Sequence, residues 1–242
     1  MSFQDPVIVI GHRGAAGLSP ENTLPSFRRA WESDVSAVEL DVYAMEGRLL
    51  VIHDDTLQRT TNGQGPLLAS SVPELRALDA GNGEPIPFLE EVTAELPEGT
   101  GINIELKGPG TAAPVAEFLA GQRRLDVLVS SFDHAELQRF HRLAPDIPVA
   151  PLFGRWKRSA WKVAEGLSAG FINLSRGIAS QRRIAQARQR GLRTLFYTVN
   201  DLAEAKQLVS WGASGMFTDY PDRITTVALA ASVPDSGDNR AR

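Results

Sequence analysis

The 242-residue sequence contains no cysteine, which excludes disulfides, thiolate nucleophiles and thiolate metal ligands. It also has no uninterrupted apolar run long enough to cross a bilayer. The first six residues do not join a basic stretch to an apolar one, as a secretory signal would. We therefore expect no stable membrane insertion and a cytoplasmic location.

An excess of positive charge is also missing. The chain has 25 lysines and arginines against 29 acidic residues, which gives a formal net charge of −4. Proteins that bind nucleic acid usually carry a basic footprint, so we expect a small-molecule partner and no nucleic acid. Lysine itself is scarce, and one of the four, Lys107, interrupts an otherwise apolar strand pattern.

What the sequence does contain is a regular alternation of short apolar runs with amphipathic stretches. This alternation is typical of parallel strands joined by right-handed helical crossovers. The first strand is not followed by the Gly-x-Gly-x-x-Gly pattern of an open dinucleotide-binding sheet. We therefore predict an α/β fold, a (β/α)8 TIM barrel. Its eight principal strands are expected at residues 7–10, 37–43, 102–106, 127–131, 148–152, 171–173, 193–199 and 215–217.

The predicted domain organisation is a single barrel over residues 1–233 and a disordered polar tail at 234–242. Residues 48–53 are expected to pair back on the second strand. The segment 53–91 is rich in Gly, Pro, Asn and Thr and interrupts the repeat. It predicts a short insertion after the second strand, containing a helix at 72–78 and lying over the barrel mouth.

Polar residues cluster at the ends of the first three barrel strands. In this fold, catalytic groups come from the C-terminal ends of strands and the loops that follow them. Alternation along a strand places side chains two residues apart on one face. The group comprises two imidazoles, three carboxylates, a guanidinium and an ammonium: His12, His53, Glu39, Asp41, Glu105, Arg13 and Lys107.

Each of these residues has a structural interpretation when it is taken alone. A histidine at a strand end is commonly a hydrogen-bonded structural residue, and Lys107 could pair with Glu105. Their convergence favours a site, because carboxylates on buried neighbouring strands repel one another unless a cation joins them. Oxygen ligands without cysteine suit Mg²⁺ or Ca²⁺ better than Zn²⁺. The residues therefore predict metal-assisted phosphoryl chemistry.

An ordered set of motifs resembles the glycerophosphodiester phosphodiesterase family. The resemblance extends over about residues 7 to 224, and the ordered set is far more specific than any single motif. The motifs are GHRG at 11–14, PENT at 20–23, VELDV at 38–42, HDDTLQRTTNG at 53–63, PFLEEV at 87–92, NIELK at 103–107, SSF at 130–132, YTVN at 197–200 and TDYP at 218–221.

The resemblance implies a role for each matching position. His12 and His53 correspond to the acid–base pair, without indicating which is the acid. The carboxylates that correspond to ligands of one divalent cation, Mg²⁺ or Ca²⁺, are Glu39, Asp41 and Glu105. The substrate-binding positions are Arg13 and Lys107 for the phosphate, with Glu21 and Asn22 ordering the site near His12. The implied reaction is hydrolysis of glycerophosphodiesters to sn-glycerol 3-phosphate and an alcohol.

Two departures from the family pattern concern the pocket. The segment after Gly81 is shorter than is usual in the family, which predicts a more open mouth, and Tyr197 stands where the family often has tryptophan. We expect Tyr197 and Phe153 to line the pocket. The alternative functions are phospholipase D-like hydrolysis of lysophospholipids, for which Trp156 and Trp161 would form a lipid-facing lip, and a non-catalytic binding barrel. A monomer or a homodimer is expected.

Overall fold

Eight parallel strands close into a barrel within the residues that the computed structural model describes, 2–33 and 35–230. Pairing of β1 with β2 closes the sheet, and β3 (Arg48–Val51) adds to β2 as an antiparallel extension outside the barrel order. This confirms the predicted α/β barrel class. The barrel strands are β1 (Ile8–Gly11), β2 (Ala37–Met45), β4 (Gly101–Leu106), β5 (Asp126–Ser131), β6 (Val149–Phe153), β7 (Phe171–Ser175), β8 (Arg193–Tyr197) and β9 (Gly215–Thr218).

A helix follows each barrel strand and packs outside the sheet. Polar side chains cap the N-termini of several of these helices. The Asp201 side chain, for example, accepts a hydrogen bond of 2.8 Å from the backbone N–H of Glu204. The predicted tail at 234–242 lies outside the described residues. The eight helices are α1 (Leu24–Trp31), α3 (Leu89–Glu95), α4 (Ala112–Ala120), α5 (His134–Leu143), α6 (Ala160–Gly166), α7 (Gln181–Arg188), α8 (Leu202–Ser210) and α9 (Thr226–Ala230).

One barrel helix, α3, was not predicted. The helix predicted at 72–78 within the insertion exists as α2 (Val72–Arg76), but the sequence predicted no separate helix between the insertion and the third barrel strand. The helix that packs on the barrel begins after Phe88, whose backbone N–H donates to the Glu91 carboxylate at 2.7 Å. With only seven residues, α3 is too short to show a clear helical period in the sequence.

The insertion has its own small core. Ten buried residues of the insertion and the β2–β3 hairpin form an apolar cluster distinct from the main core, among them Leu57, Leu67 and Leu75. Arg76 ties this cluster to α3, because its guanidinium donates two hydrogen bonds of 2.9 Å to Glu91 and lies over the Phe88 ring at 4.4 Å. The insertion is therefore a packed cap on the β2–β3 hairpin.

The lower half of the barrel is filled with apolar side chains. Phe3 closes the N-terminal end and is only 2% exposed. At the β1–β9 contact, a Cβ on Gly215 would lie 2.2 Å from the Ile8 carbonyl oxygen, so this close approach requires glycine. Polar groups are thereby confined to the upper half. The interior cluster comprises Phe3, Ile8, Ile10, Ala37, Leu128, Ala150, Phe171, Leu195 and Phe217.

In the part of the chain described here, no helix combines the length and the apolar character that a membrane span requires.

Candidate active site

Three carboxylates meet where β2 lies beside the C-terminal end of β4. Strand pairing sets Asp41 directly beside Glu105, and Glu39 lies two residues earlier on the same face of β2. All three side chains are buried, and each offers an oxygen within 4.8 Å of the others. The structure therefore brings together the three residues that the sequence predicted as metal ligands.

The electrostatics of this cluster favour a cation. Burial, together with the charges of Asp41 and Glu105, raises the pKa of Glu39 well above its usual value. Burial and the charge of Asp41 raise the pKa of Glu105 to about 7. Lys107 compensates in part, with its Nζ 3.0 Å from Glu105 and 3.7 Å from Asp41. The residues fit a hard divalent ion, because all the clustered ligand atoms are carboxylate oxygens.

His12 follows β1 directly and is held by a carboxylate from the other end of the chain. Its Nδ1 lies 2.7 Å from Asp219, which also accepts a 2.7 Å hydrogen bond from Asn200. Burial opposes ionisation of Asp219, but the hydrogen bonds from His12 and Asn200 leave its pKa lowered. An ionised Asp219 fixes the proton on Nδ1 and leaves Nε2 for chemistry. The sequence predicted no individual role for Asp219 or Asn200, which belong to the TDYP and YTVN motifs.

His53 is held by a carboxylate in the same way. Its Nδ1 lies 2.5 Å from Asp54, the next residue in the chain. Burial lowers the pKa of His53, although the charge of Asp41 and the hydrogen bond with Asp54 oppose this effect. The two histidines are thus both held at Nδ1 by an acidic side chain. This is the arrangement expected of a pair that transfers protons through Nε2.

Arg59 joins the surroundings of His53 to those of Arg13, and the sequence reasoning missed it. Its guanidinium donates to both oxygens of Asp54, at 2.5 and 2.8 Å, and to both oxygens of Glu21, at 2.7 Å each. Glu21 accepts a further 2.7 Å hydrogen bond from Arg13. A continuous chain of charged groups therefore runs from His53 to Arg13.

Arg13 and Asn22 both adopt the left-handed backbone region, with φ of 51° and 58°. Non-glycine residues in this region are uncommon and cluster at functional sites. The Arg13 backbone N–H donates to Glu39 at 2.8 Å, and the Asn22 amide donates to Asp41 at 2.9 Å. The turn therefore buttresses the carboxylates. Neither Asn22 nor Glu21 lines the central cavity, so both support the site from behind it.

A cavity of about 180 Å³ lies between the carboxylates and the opposite barrel wall. Larger hollows of about 460 and 540 Å³ occur elsewhere, but neither has the histidines or the carboxylate cluster in its wall. The polar residues Asn103, Ser130 and Asn173 were not predicted to lie in this cavity. Its lining consists of His12, Arg13, Glu39, His53, Asn103, Glu105, Ser130, Phe132, Leu152, Asn173, Tyr197, Thr198 and Phe217.

Of the two aromatic residues predicted to line the pocket, the structure places one there. Tyr197 lines the cavity and packs edge-on against Phe132, with ring centroids 5.8 Å apart. Phe153 points the other way, into the core between barrel and helices, and Leu152 occupies the cavity position. The prediction for Phe153 was wrong, because a shift of one residue along a strand reverses the face. His134 on α5 is half-buried, and its ring centroid lies 4.7 Å from that of Phe153.

The two tryptophans after β6 do not form an exposed lip. Trp156 and Trp161 pack on each other with ring centroids 4.9 Å apart, and each lies beneath an arginine, Arg183 and Arg190 respectively. Both side chains are half-buried. These tryptophans therefore do not form the lipid-facing lip that the lysophospholipid alternative requires.

Comparison with known proteins relates the whole barrel to one family. Residues 12–223 match the Glycerophosphoryl diester phosphodiesterase family. A glycerophosphodiester phosphodiesterase from Bacillus altitudinis is 34% identical over 237 residues, which cover 90% of this chain and 97% of that protein. A phosphodiesterase from Oleispira antarctica, solved with the product sn-glycerol 3-phosphate, superposes with a TM-score of 0.84 at 30% identity, covering 93% of this chain and 96% of that one. The glycerophosphodiester phosphodiesterase from Agrobacterium tumefaciens gives a TM-score of 0.78 at 28% identity, covering 93% and 98%.

Proposed function

Since the chain belongs to the glycerophosphoryl diester phosphodiesterase family, we propose that it hydrolyses glycerophosphodiesters to sn-glycerol 3-phosphate and an alcohol. Membership confirms the family resemblance and the enzyme class predicted from the sequence. The observation that carries the proposed reaction is the cavity itself. Two histidines, each oriented by a carboxylate, and a buried carboxylate cluster all lie at one small polar cavity.

In this proposal Glu39, Asp41 and Glu105 hold one divalent cation, Mg²⁺ or Ca²⁺. Such an ion acts as a Lewis acid that draws charge from a phosphoryl oxygen. The support is the physical state of the cluster. Buried carboxylates with raised pKa values are destabilised by their mutual repulsion, and a hard cation relieves it.

His12 and His53 serve as the acid–base pair in the same proposal. One accepts a proton as the nucleophile forms its bond to phosphorus, and the other donates a proton to the alcohol oxygen as that P–O bond breaks. The nucleophile is water, or a free hydroxyl of the substrate that forms a cyclic phosphate, which water then opens to sn-glycerol 3-phosphate. Arg13 lies in the cavity wall, where its guanidinium can pair with the phosphate.

The decisive assay measures release of sn-glycerol 3-phosphate from glycerophosphocholine in EDTA, in Mg²⁺ and in Ca²⁺. We expect release with at least one of the two ions, loss of activity in EDTA and recovery when the ion is restored. No release with either ion, from protein shown to be folded by circular dichroism, would contradict the proposal. Activity confined to micellar lysophospholipids would instead support the phospholipase D-like alternative. The predicted cytoplasmic location, the lack of a nucleic-acid partner and the monomeric or dimeric state remain predictions.

Glu105→Gln tests the metal ligands. The amide keeps the size of the side chain but removes the charge, so the concentration of Mg²⁺ or Ca²⁺ that gives half-maximal activity should rise roughly tenfold or more. Glu136→Gln is the matched control, because Glu136 is also a buried glutamate but binds the backbone of Ala112 on the outer layer. An unchanged metal titration for Glu105→Gln would remove Glu105 from the ligand set.

A further inference from the structure

Positive charge is concentrated in one stretch of this acidic protein. Residues 155–193 contain ten lysines and arginines but only one acidic residue, Glu165. The rest of the chain holds the other 15 basic residues together with 28 acidic ones. A stretch with nine net positive charges therefore belongs to a molecule whose remaining residues carry a net charge of −13. Such an asymmetry creates a local field that favours binding to an anionic surface.

The two helices of this stretch are neighbours on the outside of the barrel. The Arg183 guanidinium on α7 lies 4.8 Å from the ring centre of Trp156, and Arg190 lies 5.0 Å from that of Trp161, so α7 packs against the region of α6. Five of the basic residues lie at the mouth of the barrel, where loops leave the strands and helices begin. These five, here called the basic rim, are Arg155, Lys157 and Arg158 in the loop after β6, Lys162 in the first turn of α6 and Arg182 in the first turn of α7.

The charges of the basic rim are not neutralised by the protein. All five side chains are exposed, and none of them forms an ion pair with a carboxylate in the part of the chain that the structure describes. The carboxylates of α6 and α8 on this side of the barrel are engaged by other arginines. Glu204 accepts a hydrogen bond of 3.0 Å from Arg176, and Glu165 lies 3.9 Å from Arg190. The basic rim therefore presents its positive field to whatever lies within a Debye length of about 10 Å.

An exposed aromatic ring borders the basic rim. Phe132, in the loop after β5, is 49% exposed. It lies beside the first residue of the loop after β6, since a Cβ on Gly154 would be 3.9 Å from the Phe132 ring. Cations next to an exposed apolar ring suit a lipid surface, where the cations pair with anionic headgroups and the ring enters the acyl boundary. An extended nucleic acid fits less well, because the acidic remainder of the protein repels the phosphates beyond the rim.

We propose that the basic rim binds the surface of an anionic phospholipid bilayer and holds the mouth of the barrel beside that surface. Each basic residue near such a bilayer strengthens binding about fivefold, and the attachment weakens as salt screens the charges. The attachment is peripheral and reversible, because it depends on charge and not on a buried span. It is independent of the chemistry in the central cavity, which none of the five side chains lines.

Cosedimentation with lipid vesicles tests the surface. The wild type is mixed with vesicles of phosphatidylcholine and phosphatidylglycerol, or of phosphatidylcholine alone, over a series of salt concentrations. We expect binding to the anionic vesicles to be roughly tenfold tighter or more, with a steep decrease as salt rises. The triple variant Arg155→Gln/Lys157→Gln/Arg158→Gln should bind the anionic vesicles about 10²-fold more weakly. Its fold, checked by circular dichroism, should be unchanged, because the three side chains are exposed.

The matched control removes three exposed arginines elsewhere. Arg29→Gln/Arg123→Gln/Arg142→Gln changes the net charge equally and should bind within about twofold of the wild type, because α1 and the C-terminal ends of α4 and α5 lie away from the basic rim.

Three outcomes would overturn the assignment. The first is a wild type that binds both kinds of vesicle alike, and the second is an equal loss in the two triple variants, which would mean that net charge alone governs binding. The third is tighter binding of duplex DNA than of anionic vesicles at the same salt concentration, lost when the rim is neutralised. The vesicle assay needs no catalysis, so a failure of the proposed function would appear separately, as absent product release by the wild type.

Discussion

His12→Ala should lower the turnover of a glycerophosphodiester by about 10² to 10⁴-fold, the range found when a general acid or base is removed. The physical reason is that Asp219 orients the imidazole at the cavity wall, so its removal takes away one of the two proposed proton-transfer groups. The measurement is kcat for sn-glycerol 3-phosphate release, at saturating metal and substrate. Folding should be unaffected, because the imidazole is partly exposed and belongs to no apolar cluster.

Two variants make this prediction specific. Asp219→Asn keeps the shape of the side chain but removes the charge that fixes the imidazole proton, so it should lower kcat and change the pH–rate profile. His141→Ala, on the outer helix α5, should have wild-type turnover. Wild-type turnover in His12→Ala would remove His12 from the chemistry. An unchanged pH profile in Asp219→Asn would show that the carboxylate does not act through His12.

Arg59→Leu should lower kcat/KM by about 10²-fold, although Arg59 is not in the cavity wall. Its guanidinium binds both oxygens of Asp54 and both of Glu21, which in turn hold His53 and Arg13. Losing the guanidinium frees both carboxylates, and a displacement of about 1 Å in a catalytic group is enough for an effect of this size. Arg59→Lys should give an intermediate loss, because lysine keeps the charge but not the planar fork.

Arg28→Leu is the control for Arg59. Arg28 also binds one carboxylate with two hydrogen bonds, to Glu95 at 2.7 and 2.6 Å, but this pair is exposed on the outer layer. Its removal should leave kcat/KM unchanged, since exposed pairs contribute little to stability and this one touches no site residue. If Arg59→Leu behaves like Arg28→Leu, the positioning role of Arg59 is wrong and His53 is held by its other contacts.

The groups at the strand ends could be predicted because the barrel geometry is simple. Parallel strands deliver their C-terminal ends to one mouth, so the period of two that aligns Glu39 with Asp41 was enough to anticipate the cluster. The neighbouring strand then supplies Glu105 in register. The carboxylate cluster could be predicted from the alternation along each strand and the order of the strands, without knowing any contact between distant parts of the chain.

The partners of these groups could not be predicted, for different physical reasons. His12 and Asp219 are 207 positions apart in the sequence and meet only because β9 lies beside β1. Arg59 could be seen in its motif, but which carboxylates it joins depends on how the insertion packs on the barrel. The error at Phe153 is of another kind, since the strand was predicted correctly but the side chain was assigned to the wrong face of it.

The meeting of β1 with β9 also has a consequence for the timing of synthesis. The ribosome makes His12 207 residues before Asp219, and the carboxylate reaches the imidazole only when β9 fills the last gap in the barrel. A nascent chain that ends before β9 can already contain both histidines and all three clustered carboxylates. Its first histidine nevertheless has no carboxylate to orient it. The contact that orients His12 therefore forms only after β9 has been made and the barrel closes.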